Sequence, residues 1–532
     1  MNDSVLGAEG SLPRSEAERQ RMARRAWFGF AAMIFGNFMA ILDIQIVASS
    51  LNQIQAGLAA SADELTWVQT SYLIAEVVAI PLSGLLSRLL STRIYFTICS
   101  VGFTLASLAC AMAWNIESMV VFRALQGFLG GGMIPTTMGA LFIMFPPDKR
   151  TQPLVLVGLV STLAPALGPT IGGYLTAAFS WHWLFLMNVI PGLIVSLAVW
   201  KLVRIDQPDH SLFDRIDFIG LGLMAAFLGS FEYVLDEGPR HDWLEDPTVR
   251  PLAFVAVVSG IMFFWRTLTT AHPIVDLRVF RNRNFAAGSI VAFVVGVMLY
   301  GIVYLVPLFF GTVRGYDSLQ IGHVMMVTGV AMFLTAPLAG QAQKRFDARA
   351  MLAYGLSAVA LGTWLNANLT AQSDIMQFLL PQILRGHGFM FCMISMTALA
   401  LGTLQPHEVQ NGSGLFNLMR NLGGAIGLAV INTLISRLES LHWSYLAEAV
   451  NLSRTPVREA LGLSNGALSP LLGTDAQPAA IAMFAQRVAQ QAMVMTFNDL
   501  LTMLALLVAS MLLLVPLIQK PKQAPGPGAG AH

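Results

Sequence analysis

Apolar residues run along this chain in blocks of about 20, the length that carries a helix across a hydrocarbon core of about 30 Å. Polar residues gather in the gaps between the blocks. Fourteen blocks are read, at 27–49, 65–87, 94–113, 117–144, 152–177, 182–203, 216–236, 251–268, 286–310, 321–340, 351–370, 378–402, 412–436 and 494–518. The seventh carries Glu232 and Asp236, read here as interfacial charges flanking a loop. The first block lies too late and runs too long for a cleaved leader, so it is read as a retained anchor.

Composition strengthens the membrane reading. Hydrophobic residues are 55% and charged residues 11% of the 532, and mean hydropathy is +0.64. A soluble fold of this size could not cover its surface with so few charges. Disorder needs the opposite balance. A net charge of +1 argues against a nucleic-acid partner. Cys99, Cys110 and Cys392 sit inside apolar runs, with neither a disulfide framework nor metal-ligand spacing. No metal and no cofactor are expected. Of the 31 Lys and Arg, 21 fall in loops on one side, seven on the other, and three (Arg123, Arg385 and Arg420) inside spans. The positive-inside rule then places both termini in the cytoplasm.

The chain repeats itself. PLSGLLSRLLSTR (81–93) resembles PLAGQAQKRFDAR (337–349), LGPTIG (167–172) resembles LGGAIG (422–427), and MIPTTMGAL (133–141) resembles MISMTALAL (393–401). The near-constant offset pairs the second, fourth and fifth blocks with the tenth, twelfth and thirteenth. The expected architecture is an all-α membrane protein with the major facilitator layout, two six-helix bundles plus two extra helices. Its parts are a tail (1–26), a first bundle (27–203), two linking helices (204–268), a second bundle (269–518) with an outer loop at 437–493, and a tail (519–532).

Several motifs carry a family likeness: ILDIQIV (41–47), GLLSRLLSTR (84–93), FRALQG (122–127), APALGPTIGG (164–173), WHWLFLMNVIPG (181–192), PIVDLRVFRNRNF (273–285) and FNLMRNLGGAIG (416–427). Together they resemble the fourteen-span drug:proton antiporter family of the major facilitator superfamily, and within it the EmrB-like multidrug exporters. The likeness spans roughly residues 25–520. Its span 5 motif resembles the signature of antiporters rather than symporters. Departures are Arg88 and Ser91, where the family's loop often has an acidic residue and a glycine, and His182, where it has arginine. The resemblance implies proton-coupled export of amphiphilic drugs or toxic hydrophobic compounds across a bacterial inner membrane. It also implies a periplasmic membrane-fusion adaptor docked at the outer loop, whose channel leads to the outer membrane.

The charged residues within spans supply the chemistry. A carboxylate at a helix centre costs about 2.5–3.5 kcal/mol on insertion scales, so it should face protein or a water cavity. Asp43 and Arg123 each lie about six residues from the outer ends of their spans, roughly 9 Å deep at 1.5 Å per residue. That match permits a pair. Asp43 and Glu76 are candidate proton carriers, with Arg123 as the partner of Asp43. A static pair at Asp43 and a protonated, hydrogen-bonded glutamic acid at Glu76 are the bland readings. Gln126, Arg385, His387, Asn417 and Arg420 are candidate lining of a substrate cavity. Packing is the plainer role for His387, and Arg420 is open between Asp499 and substrate.

Gly168, Gly172 and Gly173 allow close helix approach, and Pro169 removes a backbone donor and permits a kink. They are the expected gating elements of span 5. Gly84, Arg88 and Arg93, repeated as Lys344 and Arg349, are candidates for latching the inner gate. No phosphate-loop motif supports an ATP-driven pump. A fatty-acid or metabolite exporter of the same fold, or an uncoupled facilitator or sensor, is the alternative.

Overall fold

The computed structural model describes residues 16–519, apart from 49, 147–148, 272, 317, 406, 451–453, 456, 460–461 and 463–475. Among these the chain is helical throughout, with no strand. The first half holds α1 (Glu16–Ala48), the short α2 (Leu51–Leu58), α3 (Ala62–Leu90), α4 (Thr92–Ala111), α5 (Ile116–Met144), α6 (Thr151–Ala178), the single-turn α7 (Trp183–Leu186) and α8 (Val189–Leu202). Then come α9 (Phe218–Glu237) and α10 (Val249–Thr269). The second half holds α11 (Arg283–Thr312), α12 (Ser318–Arg345), α13 (Ala348–Trp364), α14 (Ile375–Leu401), α15 (Val409–Ala449) and α16 (Ala476–Ser510).

Helix starts follow the cap chemistry of the sequence. Ser61 and Glu64 form a reciprocal capping box at α3, and Asn115 and Ser118 form another at α5. Asn282 caps α11 by accepting from the backbone of Asn284 and Phe285.

All fourteen apolar blocks are helical. The sixth is broken between α7 and α8. The fifth bends by 49° between Thr151–Pro165 and Thr170–Ala178. Prolines at 165 and 169 explain the bend, because each withholds a backbone donor. Among the described residues, twelve helices are individually long and apolar enough to span a bilayer, and thirteen if the bent α6 is counted. At 17 residues α13 is the short one. The arrangement is compatible with fourteen spans.

The packing repeats as the sequence does. In the first half α3 and α4 pack on α5, α1 on α6, and α4 on α8; in the second α12 and α13 pack on α14, α11 on α15, and α13 on α16. The halves meet where α6 packs on α12 and where α3 and α5 pack on α15. α9 and α10 pack on each other, and α9 also lies against α3 and α15. Close packing of α3 on α5 needs Gly131, where a Cβ would stand 2.8 Å from the Glu76 carbonyl oxygen.

Candidate functional site

Asp43 and Arg123, whose matching depths in the sequence permit a pair, form one. Arg123 Nη1 donates to Asp43 Oδ2 at 2.6 Å, and neither side chain is exposed. The pair sits inside a wider network. Arg123 also donates to Gln126 Oε1 (2.7 Å) and to the Val68 carbonyl (3.0 Å), and its guanidinium lies 4.3 Å from the Tyr72 ring centroid. Asp43 Oδ1 accepts from Gln126 Nε2 (3.0 Å) and Asn188 Nδ2 (2.7 Å), and Gln126 donates to Ser107 at 2.7 Å. An ion pair taken fully out of water survives only with such additional bonds. The network ties α1, α3, α4 and α5 to the turn before α8.

One turn along α3 from Tyr72 stands Glu76, 5% exposed. Its carboxylate makes no hydrogen bond or ion pair with any described residue. It borders two small cavities. One, about 50 Å³, is lined by Glu76, Glu232, Tyr300 and Asn421 among apolar neighbours. The other, about 20 Å³, is lined by Glu76, Gln45, Ser161 and Pro165 from the first half and by Tyr300, Arg420 and Asn421 from the second. A water needs about 10–15 Å³ of such space, so these cavities have room for water and none for a drug.

The other expected lining residues lie elsewhere. His387 bonds Thr335 Oγ1 (3.0 Å) and Tyr354 Oη (2.9 Å), with its ring 5.0 Å from Phe391. Arg385 is fully buried, with Nε, Nη1 and Nη2 lacking partners among the described residues. Asn417 donates to the Ser413 carbonyl at 2.9 Å. None of these three borders the Glu76 cavities; Arg420 does. Asp499 bonds His442 at 2.8 Å rather than Arg420.

At the end of the bundle that carries the arginine-rich loops, the halves touch at Gly84. A Cβ there would lie 3.2 Å from Asn411 Cα and from the Gln410 carbonyl oxygen. Arg88 donates to the Gly84 carbonyl at 3.3 Å and borders a cleft shared with Asp217, Asp276, Glu408 and Asn411. Arg93 lies over the Trp200 ring at 4.8 Å, within its own half. Arg349 pairs with Asp347 at 3.0 Å in its own turn, and Lys344 borders a groove between α6 and α12. In α6, Gly168 packs against Gln45 of α1, and the carbonyls of Gly172 and Gly173 accept from Thr176 Oγ1 at 2.8 and 3.2 Å. Pro169 falls at the bend, and its side chain lies outside the described ones.

Sequence reasoning missed Asn188, Ser107, Tyr72, Tyr300 and Asn421 as site residues and read Glu232 as an interfacial charge. Asn188 had a signal, its place in the WHWLFLMNVIPG motif. Glu232 had the i, i+4 spacing to Asp236, which puts two acids on one helix face.

The sequence profile of the Major Facilitator Superfamily matches residues 33–428. The colistin resistance protein EmrB of Acinetobacter baumannii is 50% identical over 492 residues, covering 92% of this chain and 96% of that protein. The fatty acid resistance protein FarB of Neisseria gonorrhoeae is 30% identical over 93% of this chain and 96% of its own. The multidrug export protein EmrB of Escherichia coli K12 is 29% identical over 94% and 97%. Among solved structures, the proton:xylose symporter XylE superposes with a TM-score of 0.56 at 13% identity, covering 92% of this chain and 96% of that one. The human organic anion transporter MFSD10 gives 0.55 at 12%, over 91% and 99%. These two share the fold. The chain is a multi-pass membrane protein of the major facilitator superfamily and belongs to its EmrB-like drug exporters.

Proposed function

We propose that this chain is a proton-coupled antiporter that exports amphiphilic compounds across a bacterial inner membrane, with both termini cytoplasmic. One observation carries the reading: Glu76, a buried carboxylate with no hydrogen bond to a described residue, borders a water-sized cavity where the two halves meet, with Arg420 beside it. A carboxylate so placed binds and releases a proton as the cavity opens to either side. Substrate and proton then compete for the same space. The Asp43–Arg123 network is the second coupling element. Protonating Asp43 weakens its hold on Arg123 and thereby on the α1–α5 contact.

Alternating access needs two closures that open in turn. The Gly84–Asn411 contact closes one end. The bent α6 forms the other, packed on α1 at Gly168 and on α12 at Thr170, which lies against Gly322. A membrane potential of 100 mV supplies about 2.3 kcal/mol per charge moved, and each pH unit about 1.4 kcal/mol more per proton. One or two protons per cycle sustain a gradient of several hundredfold.

The groove between α6 and α12 supports loading from the membrane. It encloses about 580 Å³ among Trp27, Val155, Leu159, Phe333 and Pro337, with Lys344 among its few polar residues. An apolar chain fits there with an acidic head at Lys344. This favours fatty acids as a second substrate class, and FarB is one of the relatives. α15 has 41 residues, about 60 Å at 1.5 Å per residue, twice a hydrocarbon core. It runs beside α16, with 35 residues. The two long helices continue past the membrane and suit docking of a periplasmic adaptor, whose channel leads to the outer membrane.

The test is uphill accumulation of tetraphenylphosphonium and of oleate in proteoliposomes under an imposed pH gradient. Accumulation that a protonophore abolishes supports the antiporter. Accumulation no higher than equilibration, gradient or not, replaces it with a facilitator.

A further inference from the structure

α9 is one of the two helices outside the repeat, and nothing so far gives it a task. Its Glu232 is 6% exposed. The side chain borders the same cavity as Glu76, Tyr300 and Asn421, and it makes no hydrogen bond or ion pair with a described residue. α9 reaches this place because it packs on α3 and α15, the helices that carry Glu76 and Arg420. Two buried carboxylates that make no hydrogen bond to a described residue therefore border one water-sized space. A second observation is independent of the acids. Arg420 is 6% exposed, makes no hydrogen bond or ion pair with a described residue, and borders the adjoining cavity with Glu76. Arg420 borders the cavity beside Glu76 and not the one that Glu232 borders, and a buried charge without a counter-charge is costly.

We propose that Glu232 is a second proton-carrying group, which shares a proton with Glu76 across the cavity and makes α9 part of the coupling machinery. The charged and titratable groups around it are Glu76 on α3, Asp236 one turn farther along α9, Tyr300 on α11 and Arg420 on α15. Asp236 is held by Thr70 Oγ1, and Glu237 is turned to Arg240 and His241. Asp236 thus extends the acid row toward the end of α9. A proton passes by relay. Cavity water accepts the proton of the Glu232 carboxyl and gives one of its own to the Glu76 carboxylate. One O–H bond breaks at Glu232, one forms at Glu76, and the negative charge moves the other way.

The inference rests on the proton-coupled reading above, and the experiment separates the two. Full-length protein in proteoliposomes receives tetraphenylphosphonium, and proton movement is followed with an enclosed pH dye. We expect wild-type protein to move protons. Glu232→Gln, checked by monodisperse elution, moves fewer protons per substrate. Its transport midpoint lies at lower pH, because like charges in one site hinder each other's ionisation. Glu232→Asp restores proton movement with a shifted midpoint. If Glu232→Gln does not fold, the Glu232→Asp midpoint decides alone. A wild-type ratio and pH profile in Glu232→Gln, or an unshifted Glu232→Asp profile, overturns the role of Glu232 and leaves coupling intact. No proton movement in wild-type protein overturns both.

Discussion

Arg123 Nη1 stands 2.6 Å from Asp43 Oδ2, with both side chains fully buried and Gln126 bonded to each. Removing one partner leaves an unpaired charge in the bundle. Asp43→Ala or Arg123→Ala should therefore lower stability by about 3–5 kcal/mol. Asp43→Leu combined with Arg123→Met should recover most of the melting temperature and still lack uphill transport. Thermal melting in detergent beside transport checks this. Full uphill transport in the apolar pair would remove Asp43 from the mechanism.

Glu76 has no hydrogen bond to lose, but Arg420 borders its cavity. Glu76→Gln keeps the size of the side chain and should change the melting temperature little, whereas Glu76→Leu leaves Arg420 without its nearest acid and should lower it. Uphill transport should disappear in both variants. A large loss of melting temperature in Glu76→Gln as well would mean that the carboxylate is structural.

Gly84 permits backbone contact between the halves. The added methyls of Gly84→Val overpack that contact by about 1–3 kcal/mol, which tilts the equilibrium roughly 5- to 150-fold toward separation of these helix ends. The three native cysteines are buried, so a cysteine placed at Glu408 reports through its labelling rate. Labelling should accelerate in the valine variant. Equal rates would show that this contact is not a gate.

Asp217 caps α9 just outside the membrane-spanning stretch and takes two bonds from Arg266 Nε, at 2.8 and 2.9 Å. Burial pushes its carboxyl up. The Arg266 bonds and the Gly220 N–H outweigh that and hold it below the ordinary carboxylate value. Its contribution to stability is therefore complete above the unfolded value, near pH 4, and is lost as pH falls through the lower folded value. Wild-type melting temperature should drop over that window, and Asp217→Asn should flatten the drop. Equal acid slopes would place the sensitivity elsewhere.

The α6–α12 groove makes substrate class testable. Ala336→Phe fills it and should raise the apparent KM for oleate while leaving that for tetraphenylphosphonium. Equal effects on both would exclude the groove as a lipid route.

The span pattern was legible because bilayer length is written directly in apolar runs, and the Asp43–Arg123 pair because depth converts to residue count. Rotation about the helix axis was not legible. Depth alone made Glu232 an interfacial charge, whereas packing of α9 on α3 and α15 turns it inward. The same ambiguity left Arg420 between Asp499 and substrate. In the fold Asp499 faces His442 and Arg420 faces the cavity of Glu76. The outer segment from 437, whose pattern already reads as largely helical, starts as a continuation of α15, because LESLHWSYLAEA contains no glycine or proline to stop it.

Substrate-triggered proton movement in proteoliposomes, compared between wild-type protein and Glu76→Gln, tests the central claim most directly. The account predicts protons moving opposite to substrate in the wild type and none in the variant, with both proteins folded. Proton movement of wild-type size in Glu76→Gln would contradict it.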